Sequence, residues 1–182
     1  MDAASRGKLL AERRPFDLDA YVQAIQTLPC FICRLVAGDP DFAHHVVYED
    51  DFAIAFLNKY PTLRGYTLVC PKAHREQVTG DFDLPDYLRL QTLVHRVAEA
   101  VRKVCAAERV YVLSLGSQQG NSHVHWHVAP LPPGVPFEDQ QFAALDVTRG
   151  VLAIDDVEMA DLARWIAAEL SPYRVGTGVS PR

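Results

Sequence analysis

Gly120-Asn121-Ser122-His123-Val124-His125-Trp126-His127-Val128-Ala129-Pro130 decides the reading of this chain. Three of its seven histidines alternate there with Val124, Trp126 and Val128, the period of a β-strand. Successive strand side chains point to opposite faces, so the three imidazoles share one face and the three apolar residues the other. A lone histidine reads as a surface residue. Three in strict alternation, between a Gly-Asn-Ser turn and a proline, read as a wall of titratable groups facing a substrate or a metal ion. On a straight strand, residues two apart are roughly 6.5–7 Å apart at Cα and residues four apart roughly 13 Å. Neighbouring histidines can therefore converge on one ion, whereas His123 and His127 hardly can. A division of labour along the strand is expected.

Upstream, Cys30-Phe31-Ile32-Cys33 has the spacing of two thiolates in a tetrahedral zinc site, a spacing that redox motifs share. The stretch that follows breaks at Gly38 and Pro40 and offers no long helix whose N-terminus would depress a thiol pKa. Zinc is accordingly placed ahead of redox chemistry. His74, just past a strand end, is the first candidate partner for the cysteines. His44 and His45 are adjacent, face opposite ways and read as surface residues.

The chain has 182 residues, 49% of them apolar, enough for one well-buried core and too few for a second full domain. A net charge of −5 excludes a general nucleic-acid-binding surface, which needs a basic stripe. No apolar run approaches the roughly 20 residues of a membrane span. The first residues carry only the Leu9-Leu10 apolar pair and lack a signal-peptide core, so a cytoplasmic protein is expected. Residues 1–15 and 171–182 read as flexible tails around one domain, 16–170, with a core at 30–132 and a C-terminal extension at 133–170.

In order, the pattern predicts a short helix at 16–27, a hairpin of strands at 44–48 and 52–57, and a third strand at 65–71. A long helix follows at 84–107, with Asp83 as N-cap, Pro85 in its first turn and Leu84, Leu88, Val94, Val97, Val101 and Val104 on its apolar face. His95 and Cys105 on this helix read as packing residues. A fourth strand at 109–115 turns back antiparallel into the histidine strand. Residues 137–145 read as a short helix or an extended arm, and Asp155 or Asp156 caps a last amphipathic helix.

Together, the alternating histidines, the Cys-x-x-Cys before the first strand and Pro71-Lys72-Ala73-His74 after the third resemble the histidine triad (HIT) family. Tyr48-Glu49-Asp50-Asp51 and Ala55-Phe56-Leu57-Asn58, followed by Pro61, add to the likeness. The resemblance implies an α+β fold, an antiparallel sheet of about five strands with the long helix packed on it and flanking helices at both ends, in a homodimer with sheets joined side by side. It implies hydrolysis or transfer of a nucleotidyl group, with a nucleotide as substrate. It gives a structural zinc held by Cys30, Cys33, His74 and His123, as in the zinc-bearing branch. His125 takes the place of the nucleophile and His127 that of its phosphate-binding or proton-transferring neighbour. Asn58 matches the ribose position and Ser114 a phosphate position. Phe31 and Ile32 are candidates for the base wall or for plain core. Asn121 and Ser122 stand where the family has Gln-Ser, Ser122 within reach of a phosphate or leaving-group oxygen.

The chain also departs from the family. Tyr66 stands where most members have a histidine that orients the catalytic one, Ser114 replaces an amide, and the turn before His123 is two residues shorter. Two other classes stay open beside the enzyme: a nucleotide-binding or zinc-stabilised interaction protein without turnover, and a hydrolase with a catalytic metal on His123 and His125.

Overall fold

The computed structural model describes residues 12–118 and 120–171. Five antiparallel strands form the central sheet in the order β2-β3-β4-β6-β5: β2, Val46–Glu49; β3, Ala53–Leu57; β4, Thr67–Pro71; β5, Arg109–Leu113; and β6, Trp126–Leu131. Asp50 closes the β2–β3 turn, its carboxylate accepting from the Phe52 and Ala53 amides. In register, Phe56, Leu68 and His127 stand side by side across β3, β4 and β6, with Leu113 of β5 beside them. These residues and their alternates face one way.

The other face is the helix side. There Ala55, Leu57, Val69, Val124, Trp126 and Val128 meet the long helix α3, Leu84–Val104, and the last helix α5, Asp156–Leu170. The Asp83 carboxylate accepts from the Asp86 amide at 2.8 Å, satisfying one orphan donor at the start of α3, and Arg102 and Lys103 lie in its last turn. Its buried stripe is Leu90, Leu93, Val94, Val97, Ala98 and Val101. Leu84 and Leu88, expected on that stripe, are exposed; Leu88 precedes Leu90 by two residues, some 200° round a helix of 3.6 residues per turn. His95 is also exposed rather than packed, whereas Cys105 packs against the core.

The histidine-side face is covered by a short helix α2, Phe31–Val36, whose Ile32 is fully buried, and by the segment around Ala144. The helix expected at 16–27 is α1, Leu18–Thr27, capped by Asp17. Residues 137–145 form a 3-10 turn, Phe137–Asp139, and a one-turn helix α4, Phe142–Leu145. Asp155, not Asp156, caps α5.

One expected boundary differs. Residues 1–11 of the N-terminal tail lie outside the described residues, but its end is tied down: β1, Arg13–Arg14, pairs with β7, Val151–Leu152. The Arg13 guanidinium donates to the carbonyls of Gly150 and Thr62, which holds the strand in place. The C-terminal tail, from residue 172, lies outside the described residues. Among the described residues no helix is long and apolar enough to cross a membrane.

Candidate active site and metal centre

The strand expected at 123–130 enters the ladder only at Trp126, because β5 pairs with β6 no further than Leu113 opposite His127. Residues 123–125 are held by other bonds. The Val124 amide donates to the Arg75 carbonyl at 2.7 Å, and the Ser114 hydroxyl donates to the His125 carbonyl at 2.8 Å. Freed from the ladder, His123 turns toward the cysteines while His125 and His127 stay together.

His123 joins Cys30, Cys33 and His74 in a cluster whose four donor atoms lie within 4.8 Å of one another. Cys30 Sγ is 3.4 Å and Cys33 Sγ 3.6 Å from His123 Nδ1, and Cys33 Sγ is 3.3 Å from His74 Nδ1. For Zn–S near 2.3 Å and Zn–N near 2.05 Å, a tetrahedron has S···N edges of about 3.6 Å, so the donor set fits that ion. The second nitrogens fit as well. His123 Nε2 donates to the Pro71 carbonyl at 2.9 Å and His74 Nε2 to the Glu76 carboxylate at 3.1 Å, which leaves both Nδ1 lone pairs for a metal. Burial pushes His123 down to about 4, keeping it neutral as a ligand must be. Cys30 caps α2, a helix of six residues, yet burial and the neighbouring sulfur push the Cys33 thiol up to about 11. A redox cysteine needs the opposite shift.

His125 is buried, 5% exposed, and its ring centroid lies 4.8 Å from that of His127 and 6.5 Å from that of Phe31. Its Nδ1 is 2.7 Å from the His123 carbonyl oxygen. A carbonyl only accepts, so Nδ1 carries the proton and Nε2 presents a lone pair. Burial lowers the pKa of His125 and pushes that of His127 down to about 4, with His125 as a lesser cause. Tyr66 reaches His127 rather than His125: its hydroxyl is 3.0 Å from His127 Nδ1.

The other expected residues are engaged locally. Asn58 accepts from the Tyr60 amide, Ser114 holds the His125 carbonyl, Ser122 donates to Glu76, and Asn121 donates to the Tyr21 hydroxyl of α1. Phe31 stands beside His125, while Ile32 lies in the core beneath it. Sequence reasoning missed three neighbours. His44, read as surface, is half-buried against Phe31 and Phe56, with centroids 5.8 and 4.9 Å away. Glu76 accepts from both His74 and Ser122. Tyr21 packs in a ring trio with Phe16 and Tyr60 and pins the loop before His123. Only Glu76, two residues after a candidate ligand, carried a sequence signal.

The HIT domain model matches residues 40–133. The chain belongs to the HIT family. A HIT-like protein of Saccharolobus solfataricus is 33% identical over 105 residues, covering 56% of this chain and 73% of the relative. An adenosine 5′-monophosphoramidase of Schizosaccharomyces pombe is 29% identical over 133 residues, covering 65% and 93%. A hypothetical histidine triad nucleotide-binding protein of Sulfolobus tokodaii superposes with a TM-score of 0.64 at 23% identity, covering 81% of this chain and all of that one, which establishes the HIT fold. Within that fold, the sheet, long helix and flanking helices stand as the sequence led one to expect.

Proposed function

We propose that this HIT protein hydrolyses or transfers a nucleotidyl group through a covalent intermediate on His125. One observation carries the reading: the 2.7 Å bond from His125 Nδ1 to the His123 carbonyl leaves Nε2 of a buried, neutral imidazole as a nucleophile. Nε2 attacks the α-phosphorus in line, the bond to the leaving group breaks, and the leaving group takes a proton from solvent water, which the water of the second step returns. Water then attacks the nucleotidyl-histidine, releasing the nucleoside monophosphate and restoring the imidazole. His127 donates to a phosphoryl oxygen as charge grows there. Phe31 walls the base beside His125, with Ile32 beneath it, and Asn58 takes the ribose. Ser114, Asn121 and Ser122 line the phosphate side.

Cys30, Cys33, His74 and His123 hold zinc, which when bound supplies a closed structural cross-link with no open coordination position. Assigning His123 to that cluster disfavours the catalytic-metal alternative, since the ring of His125 turns to His127 and Phe31 instead. The protein acts as a homodimer joined through β5, which ends the sheet.

The name of the S. pombe relative makes adenosine 5′-phosphoramidate the first substrate to try. AMP release by the wild type, reduced by at least about 1,000-fold in His125→Ala, is the expected result. Equal release by both proteins refutes the role of His125. Tight AMP binding without release identifies a binding protein.

A further inference from the structure

His127 stands between two oxygens of different kinds. Its Nε2 lies 3.5 Å from the Leu115 carbonyl oxygen, which only accepts, and its Nδ1 lies 3.0 Å from the Tyr66 hydroxyl, which donates or accepts. A neutral imidazole has one N–H to place. On Nδ1, it would leave the Nε2 lone pair facing the carbonyl lone pairs. On Nε2, it satisfies both contacts, with Tyr66 as the donor. His125 is the reverse case, its proton fixed on Nδ1 by the His123 carbonyl. Two rings 4.8 Å apart thus carry opposite tautomers: one presents a bare Nε2, the other an Nε2–H.

We propose that Tyr66 is a positioning residue, whose hydroxyl donates to His127 Nδ1 and holds that ring as an Nε2–H donor beside the bare nitrogen of His125. The catalytic part of this inference rests on the proposed role of His125. Phosphoryl oxygens accept hydrogen bonds and repel a lone pair, so two bare ring nitrogens would oppose the charge that develops on them. With the tautomers divided, one nitrogen attacks phosphorus while its neighbour bonds an oxygen.

Tyr66 is built to stay in place. Its amide donates to the Leu63 carbonyl at 3.1 Å and its carbonyl accepts from the Asn58 amide at 2.8 Å. Gly65 before it has φ +84°, and a Cβ there would lie 2.3 Å from Cys105 Sγ, so the chain enters β4 at one fixed angle. The Tyr66 ring meets the His127 ring edge-on at 5.7 Å. Burial pushes its hydroxyl up to about 12, so the donor keeps its proton across the neutral range.

The test uses the full-length zinc-loaded protein in two measurements. Long-range proton–nitrogen correlation spectra of protein labelled with nitrogen-15 at histidine read each tautomer without any turnover. His127 is expected as Nε2–H and His125 as Nδ1–H at neutral pH; His127 found as Nδ1–H or doubly protonated overturns the proposal. Tyr66→Phe removes a single oxygen. It should leave zinc content and KM nearly unchanged while lowering kcat on adenosine 5′-phosphoramidate about 10- to 100-fold, and Tyr66→His, which offers an N–H donor, should recover part of the loss. An unchanged kcat in Tyr66→Phe overturns the positioning role. The two readings fail separately: an inert wild type with the stated tautomers refutes the role of His125 and upholds the hydrogen bond from Tyr66, whereas normal turnover with His127 as Nδ1–H does the reverse.

Discussion

The carbonyl oxygen of His123 lies 2.7 Å from Nδ1 of His125, so the backbone of one triad histidine sets the tautomer of the next. The ring of that same His123 belongs to the Cys30, Cys33 and His74 cluster. The candidate metal cluster and the proposed nucleophile therefore share one short length of chain, so that order at the first is passed to the second through covalent geometry. In the proposed reading, a zinc held by that cluster would order the nucleophile while remaining away from the phosphorus.

Loss of a ligand should show this. Cys30→Ser is expected to bind less than one zinc per chain and to melt about 10 °C lower, the shift for a loss of about 3–4 kcal/mol in a protein of this size. Metal analysis and calorimetry on the same sample check it. A fully loaded variant of unchanged Tm contradicts the assignment.

Glu76 accepts from the ring of His74 at 3.1 Å and from the Ser122 hydroxyl at 2.9 Å. It orients the ring of His74 and anchors the loop that leads into His123. Glu76→Ala should weaken zinc binding about 10- to 100-fold in competition with a chromogenic chelator. Affinity equal to the wild type would show that His74 is oriented without it.

His127 is held neutral by burial, its pKa pushed down to about 4 from 6.5. A histidine of depressed folded pKa contributes stability that is complete above its unfolded value near 6.5 and is lost as pH falls toward 4. Burial lowers the pKa of His125, the proposed nucleophile, in the same direction, and kcat/KM reports groups of the free enzyme. The profile should be level from about pH 8 through 6.5 and fall only at more acid pH. An acid limb centred near 6.5 is the contrary result.

Strand β5 ends the sheet, and Val112 on it is 48% exposed, with Leu115 just beyond at 60%. An apolar edge of this kind pairs with another strand. Val112→Lys should convert the proposed dimer to a monomer in light scattering at micromolar concentration while leaving Tm nearly unchanged. A wild type that is monomeric throughout excludes the side-by-side dimer.

The face alternation of Val124, Trp126 and Val128 against the histidines was legible in period alone, because residues on one wall of a sheet must share a parity. So was the separation of His123 from His127, which follows from strand rise. The Asp83 cap was legible because side-chain capping is local. What stayed hidden depends on residues distant in the chain. Nothing near His44 announces that Phe31 and Phe56 will enclose it, and nothing near Asn121 announces the Tyr21 hydroxyl 100 residues away. The tie between Arg13 and Thr62 is of the same kind. Leu84 and Leu88 misled because, four residues apart, they share a face with each other but not with the buried stripe, Leu88 lying some 200° round the helix from Leu90.

The most direct test of the account is to catch the intermediate. Wild type and His125→Ala are mixed with adenosine 5′-phosphoramidate, quenched in acid-free denaturant within milliseconds, and their intact masses and peptides measured. The account predicts an adenylyl group on the wild type alone, mapped to His125 and decaying at the rate at which AMP appears. AMP release with no adduct at any time, or an adduct on another residue, contradicts it.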